Sequence, residues 1–357
     1  MGLSTYFFDL DFAQLADLLQ EWGEPAYRAR QVWQAMYKHL NADPREIPNI
    51  PKALRNRLGE YLEYSHLVAE STLLSSDGET VKTLFRLPDN QAIEAVLMRY
   101  EKRRTLCIST QSGCAMGCVF CATGQMGFRR NLSSGEIVEQ VIYYARALNK
   151  NSEYVTNVVL MGMGEPFHNY DACMDAIDRL NHPEGLNLGA RRFTISTVGL
   201  IPLIKRFANE HRQINLAISL HASDNETRER LLPINKKYPI EELIKACREY
   251  VEKTHRRITF EWALIKDVND TPEQAHQLGK LLHNLLCHVN VIPLNPTQGY
   301  SGIATTLVRA KEFQKELERF GIPCTIRVRR GIEIRAGCGQ LAIDRQPMKV
   351  PPDSLDG

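Results

Sequence analysis

The sequence predicts an α/β protein built as a partial (β/α)6 barrel, preceded by a small helical domain and a hairpin. Hydrophobic residues at 43% and charged residues at 24% are typical of a globular protein with a substantial core. From about residue 104, short apolar runs alternate with amphipathic helical patterns, as parallel strands joined by crossover helices do. Polar or glycine-rich motifs follow most of these runs, at the strand ends where α/β proteins bind ligands.

The first 98 residues are predicted to form the accessory domain. Residues 11–40 contain two amphipathic helical patterns separated by the turn signal "WGEP". Residues 79–100 alternate in the manner of a hairpin that turns at residues 88–90. The barrel is expected over residues 99–345, including a loop near its end that contains a lone cysteine, and residues 346–357 are expected to be a tail.

Six apolar runs are the predicted strands of the barrel, and a seventh run, CTIRV, follows later. The sequences of the six are TLCIST, VTNVVLM, RFTIS, INLAIS, RITFEWALI and HVNVIPL. The helix after the first run should begin at Ser133, because Glu136 three residues later completes a capping box.

Composition restricts the possible partners. No stretch approaches the roughly 18 apolar residues of a membrane helix, and the first residues lack the pattern of a signal peptide. We therefore expect a cytoplasmic protein without membrane contact. The net charge of +2 is small, so any RNA contact must come from local basic clusters.

The nine cysteines fall into distinct groups. A structural disulfide framework is not expected in a reducing compartment. Four cysteines follow apolar periods and are predicted to be core residues: Cys173, Cys247, Cys287 and Cys324.

Three further cysteines share one glycine-rich loop. Cys114, Cys118 and Cys121 have the spacing C-x-x-x-C-x-x-C, and no helix or strand period runs through them. Zinc is one possible ligand, but structural zinc sites use four ligands and no fourth Cys or His lies nearby. Iron and sulfide suit thiolates equally well, and three cysteines would leave one iron of a cubane open to an outside ligand.

Seven motifs, in order along the chain, resemble those of one enzyme family. They are CISTQSGCAMGCVFCATGQMGFRRNL, NVVLMGMGEP, TISTVGL, LAISLHA, LLPINKKYPIEEL, NVIPLNP and GCGQL. The cysteine spacing resembles that of the radical S-adenosylmethionine (SAM) enzymes, and the full set resembles the RlmN family of adenine-C2 methyltransferases. The resemblance extends from about Gly23 to Leu341.

The resemblance implies cofactors and partners. It implies one 4Fe-4S cluster per chain, held by Cys114, Cys118 and Cys121, and SAM. It also implies 23S rRNA and tRNA as substrates, a flavodoxin-type electron donor, RNA contacts from the accessory domain and a monomeric enzyme. The implied SAM-binding residues are Gly164, Glu165, Ser196, Ser219, Leu220, His221 and Asn295.

The resemblance further implies a reaction that uses two SAM molecules. One methylates Cys338, and the second is cleaved to a 5′-deoxyadenosyl radical that removes hydrogen from the S-methyl group. The resulting carbon radical adds to adenine C2, Glu94 removes the C2 proton, and Cys107 attacks Cys338 to release methylated RNA and leave a transient disulfide.

The residues can also be interpreted without the family. Glu94 shares a strand face with apolar residues, so it is either paired with a cation or has a raised pKa that suits a general base. Cys107 shares its face with Thr105 and Ser109, a more polar environment than a core thiol has. Gly337 and Gly339 flank Cys338 and would permit its movement.

Three alternative functions stay open from the sequence. The first is the related methylation of adenine C8, which shares the cluster and both cysteines. The second is a non-catalytic RNA-binding protein stabilised by a metal. The third is a radical enzyme that acts on a small molecule, in which Cys107 and Cys338 would be incidental.

Overall fold

A computed structural model describes residues 5–327 and 329–342, so the predicted tail, residues 346–357, lies outside the described residues. The strands are β1 (Thr5–Tyr6), β2 (Leu62–Glu63), β3 (Val68–Leu74), β4 (Thr80–Arg86), β5 (Ala92–Tyr100), β6 (Arg103–Cys107), β7 (Gln111–Gly113), β8 (Phe128–Asn131), β9 (Asn157–Leu160), β10 (Phe193–Thr197), β11 (Asn215–Ser219), β12 (Ile258–Leu264), β13 (Cys287–Pro293) and β14 (Cys324–Ile326). The helices are α1 (Phe12–Glu21), α2 (Tyr27–Tyr37), α3 (Lys52–Tyr61), α4 (Ala122–Gln125), α5 (Ser134–Lys150), α6 (Tyr170–Asn181), α7 (Ile201–Asn209), α8 (Asn225–Leu231), α9 (Ile240–Thr254), α10 (Pro272–Leu282) and α11 (Leu307–Arg319).

One ten-stranded sheet organises the molecule. Its order is β14-β13-β12-β11-β10-β9-β6-β5-β4-β3. The pairs from β14 to β6 are parallel, and β5, β4 and β3 extend the sheet as an antiparallel meander. Among the residues described, no pairing joins the edge strands β14 and β3. The α/β prediction is confirmed, and the seven predicted runs all contain strands.

The crossover helices contribute apolar side chains to the core, and α5 is buried along most of its length. Helix α5 begins where predicted, because Ser133 caps it and accepts from the amide of Glu136 in a complete capping box. The predicted core cysteines are confirmed: Cys173, Cys247 and Cys287 are buried, and Cys324 packs against the core.

A buried carboxylate fastens the N-terminal helical region to the barrel. Glu139 on α5 accepts hydrogen bonds from the Tyr6 hydroxyl, the Ser65 hydroxyl and the backbone amides of His66 and Leu67. Several donors on one carboxylate offset the cost of burying it. The helical region is therefore held against the barrel at a defined position.

The predicted hairpin is part of the same sheet as the barrel. Strands β4 and β5 pair across the turn, and β5 also pairs with β6, where Val96 lies opposite Cys107. The expected domain boundary at residue 98 lies within β5. None of the helices in residues 5–327 and 329–342 combines the length and the apolar character that crossing a membrane requires.

Candidate active site

The motif loops meet in one cavity at the carboxyl ends of the parallel strands. This first cavity is lined by all three loop cysteines, by Cys338, and by six of the seven residues predicted to bind SAM. Those six residues are Gly164, Glu165, Ser196, Ser219, His221 and Asn295. Consecutive parallel strands point their carboxyl ends to the same side, so motifs far apart in sequence converge there.

The three loop cysteines border the first cavity together. Burial raises the pKa of Cys114 to about 12, and burial together with the neighbouring Cys121 and Cys114 raises the pKa of Cys118 well above its ordinary value. Positive charge from bound iron is what would stabilise their thiolates. In the described part of the chain, no three His, Cys, Asp or Glu side chains form a group that fits a single metal ion. The sulfurs of a cubane need not converge on one point, because each binds a different iron.

Gly164 allows the second motif loop to approach the first. Its φ is +104°, and a Cβ atom at this position would lie 2.6 Å from Cβ of Gln111. The side chain of Gln111 accepts from the amide of Glu165 at 2.9 Å, which fixes the two loops to each other. Only glycine combines this backbone conformation with this contact.

Replacement of Gly164 by alanine should therefore destabilise the protein by about 3 kcal/mol, through backbone strain and the clash with Gln111. Gly78→Ala is the matched control, because Gly78 has φ +72° and no atom of the described residues lies within 4 Å of the added Cβ. That control should lose only about 1 kcal/mol. Urea unfolding measures both. Equal losses in the two variants would show that the contact with Gln111 is unimportant.

Glu165 is a buried carboxyl held by backbone amides. One oxygen accepts from the amide of Phe167 at 3.0 Å and the other from the amide of Val198 at 2.9 Å. Burial raises its pKa to about 7, although these hydrogen bonds act in the opposite direction. A ligand ammonium group in the first cavity would favour the ionised form.

Two serines and a histidine continue the wall of the first cavity. The hydroxyls of Ser196 on β10 and Ser219 on β11 lie 3.4 Å apart. Nδ1 of His221 accepts from the amide of Ala263 at 2.9 Å, so this ring is neutral with its proton on Nε2. Burial, with a smaller contribution from Arg228, lowers the pKa of His221 to about 3.

The lowered pKa of His221 predicts a loss of stability in acid. Below about pH 6.5 the unfolded chain binds a proton that the folded chain does not, so the contribution of His221 falls as pH falls. His221→Asn should remove about 2 kcal/mol of this dependence between about pH 7 and about pH 5, and asparagine tolerates the φ of +59°. His211→Asn, at an exposed position with φ +49°, is the control for the same substitution at a left-handed backbone position. Parallel pH profiles for wild type and His221→Asn in urea unfolding would contradict the prediction.

Asn295 joins the last motif to the Cys338 loop. Its Nδ2 donates to the carbonyl oxygen of Cys338 at 3.0 Å. Its Oδ1 is buried and has no hydrogen-bond partner among residues 5–327 and 329–342. A buried acceptor without a partner is costly, so this oxygen is available to a donor on a bound ligand.

Cys338 separates the first cavity from a second one. The second cavity is also lined by Cys107, Asn295 and the arginines Arg327, Arg329 and Arg330. Cys338 is exposed, and it lines both of these cavities. The surrounding protein therefore still raises the pKa of Cys338 through burial, and Arg327 opposes this.

Cys107 is brought to Cys338 by the fold, 231 positions away in sequence. Burial and the neighbouring Cys338 raise the pKa of Cys107 to about 12. All nine cysteines are free thiols, so the predicted Cys107–Cys338 disulfide is absent from this structure. The two thiols nevertheless line the same second cavity.

Glu94 is not among the described residues that line either cavity, and it is paired with a cation. Its Oε1 lies 2.9 Å from Nζ of Lys82, and both side chains are almost fully buried. Its Oε2 accepts from the amide of Ala342 at 3.1 Å. Of the two alternatives derived for this carboxylate from the sequence, the structure therefore displays the ion pair.

Comparison with known proteins identifies the family. The Radical SAM superfamily model matches residues 108–278, and the model of the ribosomal RNA large subunit methyltransferase N-terminal domain matches residues 5–63. The probable dual-specificity RNA methyltransferase RlmN of Chloroflexus aurantiacus is 50% identical over 94% of this chain and 92% of its own length. The dual-specificity RNA methyltransferase RlmN 1 of Myxococcus xanthus is 48% identical over 98% of each chain. The chain belongs to the RlmN family.

A solved structure agrees with this assignment. The crystal structure of a radical SAM methyltransferase from Sphaerobacter thermophilus shares 48% identity, with a TM-score of 0.92 over 94% of this chain and 99% of that one. The protein is thus an RNA methyltransferase of the radical SAM superfamily, and this superfamily uses a 4Fe-4S cluster and SAM.

Within this RlmN-family site, one residue that was predicted to bind SAM, Leu220, is not among the described residues that line the first cavity. The side chain of Leu220 is fully buried, and its amide donates to the carbonyl oxygen of Glu261. Its own carbonyl oxygen accepts from Nε of Arg228. Leu220 therefore supports the wall between its neighbours, whereas Ser219 and His221 reach the cavity.

Sequence reasoning missed several charged residues of this RlmN-family site. Glu261 on β12 lines the first cavity and accepts from Nδ2 of Asn290 at 2.6 Å. Arg327 lines the second cavity with Cys338, and Lys82 forms the ion pair with Glu94. A charged residue inside an otherwise apolar strand run was the available signal for Glu261, whereas the strand of Lys82 also contains Thr80 and Thr83. Arg327 stands beyond the end of β14, where a basic residue is unremarkable.

Proposed function

We propose that this RlmN-family enzyme methylates C2 of an adenosine in 23S rRNA and of an adenosine next to the anticodon in tRNAs. The observation that supports this best is the position of Cys338. It borders the first cavity, with the cluster cysteines and SAM-binding residues, and also the second cavity, with Cys107. A methyl carrier needs access to both environments.

The first cavity is proposed to hold the cofactors. Cys114, Cys118 and Cys121 would hold the cluster, and Glu165, Asn295 and the two serines would hold SAM. When bound, the cluster and two successive SAM molecules supply a methyl group and then a 5′-deoxyadenosyl radical. Glu165 can accept from the methionine ammonium, and the unpartnered oxygen of Asn295 can accept another donor.

The residues around the second cavity are proposed to complete the reaction. The Cys338 sulfur accepts a methyl group, and after hydrogen removal from that group its carbon bonds to adenine C2. The resulting adduct gives up one electron to a one-electron acceptor, and Glu94 takes the C2 proton. The Cys107 thiol gives up its proton and its sulfur attacks the Cys338 sulfur. The bond from Cys338 to the new carbon breaks, that carbon leaves with the electron pair and takes up a proton to become the methyl group, and the two cysteines form a disulfide as the RNA is released.

The proposed substrate must present its base outside a helical stack. Adenine C2 cannot reach Cys338 from within a duplex, so an unpaired or flipped adenosine is required. Arg329 and Arg330 line the second cavity, and the Arg330 guanidinium lies 4.6 Å from the ring centre of Tyr100. These cations can contact phosphate, and binding should then weaken as salt rises.

Three further points belong to this proposal. We infer that a flavodoxin-type protein supplies electrons, that the chain acts as a monomer, and that it works in the cytoplasm, where both RNAs are made. Size-exclusion chromatography with light scattering tests directly whether the chain is a monomer.

The test of function is product analysis. Protein purified anaerobically is incubated with SAM, a reductant and unmodified 23S rRNA or tRNA, and the digested RNA is analysed by mass spectrometry. The expected product is C2-methyladenosine in both RNAs. C8-methyladenosine would replace the proposal with the alternative regiochemistry, and unmodified RNA from cluster-loaded protein would overturn it.

A further inference from the structure

The accessory hairpin contains a buried ion pair between Lys82 and Glu94. Lys82 lies on β4 and Glu94 on β5, two strands that pair with each other. Nζ of Lys82 and Oε1 of Glu94 are 2.9 Å apart, with 6% and 4% of the side chains exposed. Burying two charges carries a desolvation cost that is tolerated only with good geometry, and removing one partner leaves an uncompensated buried charge.

The same ion pair contacts both ends of the segment that carries Cys338. Oε2 of Glu94 accepts from the amide of Ala342 at 3.1 Å. Nζ of Lys82 donates to the carbonyl oxygen of Arg335 over a longer distance, 3.4 Å. Residues 335 and 342 bracket the loop of residues 336–341. A single pair of side chains thus holds the loop at its beginning and at its end.

The backbone of Glu94 is fixed to the barrel independently. Its carbonyl oxygen accepts from the Ser109 hydroxyl at 2.6 Å, and its amide lies 3.3 Å from Sδ of Met163. Met163 belongs to the GMGEP motif, and its own amide donates to the Ser109 hydroxyl at 2.9 Å. The carboxylate therefore extends from a strand that is anchored directly to the SAM-binding loop.

We propose that Lys82 is a positioning residue that sets the Glu94 carboxylate and, with it, clasps the Cys338 loop at both ends. The role of Glu94 as base rests on the proposed function, whereas the clasp rests on the contacts alone. With both ends held, movement of Cys338 between the two cavities is confined to residues 336–341.

The clasp also links proton transfer to loop movement. Ionised Glu94 attracts the Lys82 ammonium and accepts strongly from the Ala342 amide. When Glu94 takes the C2 proton, its charge is lost and both contacts weaken. The hold on residue 342 thereby weakens at the step before Cys107 must reach the Cys338 sulfur, while the Thr123 hydroxyl still donates to the carbonyl oxygen of Leu341.

The first test needs no cofactor or RNA. Amide hydrogen exchange of Ala342 is measured in wild type, Lys82→Met, Lys82→Arg and the control Lys245→Met, an exposed position on α9. We expect the Ala342 amide to exchange about tenfold faster in Lys82→Met than in wild type, because its hydrogen bond to the Glu94 carboxylate is weakened. In Lys82→Arg the exchange rate should recover toward the wild-type value. Unchanged exchange in Lys82→Met overturns the clasp. An Ala342 amide that exchanges without protection in wild type would also overturn the clasp. This second outcome does not depend on whether Lys82→Met folds.

The second test follows the reaction in the cluster-loaded enzyme. Lys82→Met should still acquire the methyl group on Cys338, which needs no base, but should accumulate about tenfold more protein–RNA adduct than wild type. Lys82→Arg should restore a low adduct level. If wild type makes methyladenosine and Lys82→Met accumulates no adduct, the positioning role is wrong while the proposed function stands. If wild type makes no methyladenosine, the proposed function itself fails, and the exchange result still decides the clasp.

Discussion

Cys338→Ala is expected to reduce RNA methylation by at least about three orders of magnitude, because no other side chain can take its place in a covalent step. Cys338 is the cysteine that borders both cavities, so its loss removes the proposed carrier while the cofactor residues remain. Mass spectrometry of the RNA product measures the effect. Intact protein mass should show that the variant no longer acquires a methyl group.

The matched control is Cys324→Ala on β14. Cys324 packs against the core and lines neither cavity, so this variant should retain methylation and lose only stability. Full activity of Cys338→Ala would make the cysteine incidental. It would then favour a radical enzyme in which the substrate reacts directly.

Cys107→Ala is expected to stop turnover after the first event and to trap protein covalently joined to RNA. Without the attacking sulfur, the bond between the carrier and the adenine has no route to cleavage. The position of Cys107 on the second cavity with Cys338 supports this role. Denaturing gel electrophoresis with labelled RNA should show nearly stoichiometric adduct in the variant and little in wild type.

The control for the adduct is the double variant Cys107→Ala with Cys338→Ala. It should form none, because the carrier is absent. Recovery of free methylated RNA from Cys107→Ala would exclude a resolving role for this thiol. An adduct in the double variant would place the covalent attachment elsewhere on the chain.

Much of the fold was predictable because its local signals are strong. Parallel strands buried on both faces appear as apolar runs, and these predicted β6 and β9 to β14. The start of α5 was predictable because a capping box satisfies amides that a helix leaves unpaired. The continuation of the sheet from β6 into β5 was not, because the two-residue turn that joins these strands, Glu101 and Lys102, lacks the Asn-Gly or Asp-Gly signal of a tight hairpin.

The charged partners of the site were not predictable in the same way. Glu94 alternates with apolar residues, and the sequence left both an ion pair and a raised pKa open, with the ion pair the commoner arrangement for a strand carboxylate. Lys82 faces it only because the turn between β4 and β5 sets the strand register. The contacts of both side chains with residues 335 and 342 join parts of the chain about 250 positions apart.

The sequence by itself determined the family motifs, the loop cysteines, the order of strands along the chain and the end of the strands at which ligands bind. Each of these depends on residue type and short spacing, which tertiary structure does not alter. Only the tertiary structure decided that Cys338 borders two cavities, that Leu220 turns away from the first, and that Glu94 pairs with Lys82. These relations depend on which distant segments pack together, and that is set by the burial of the whole core.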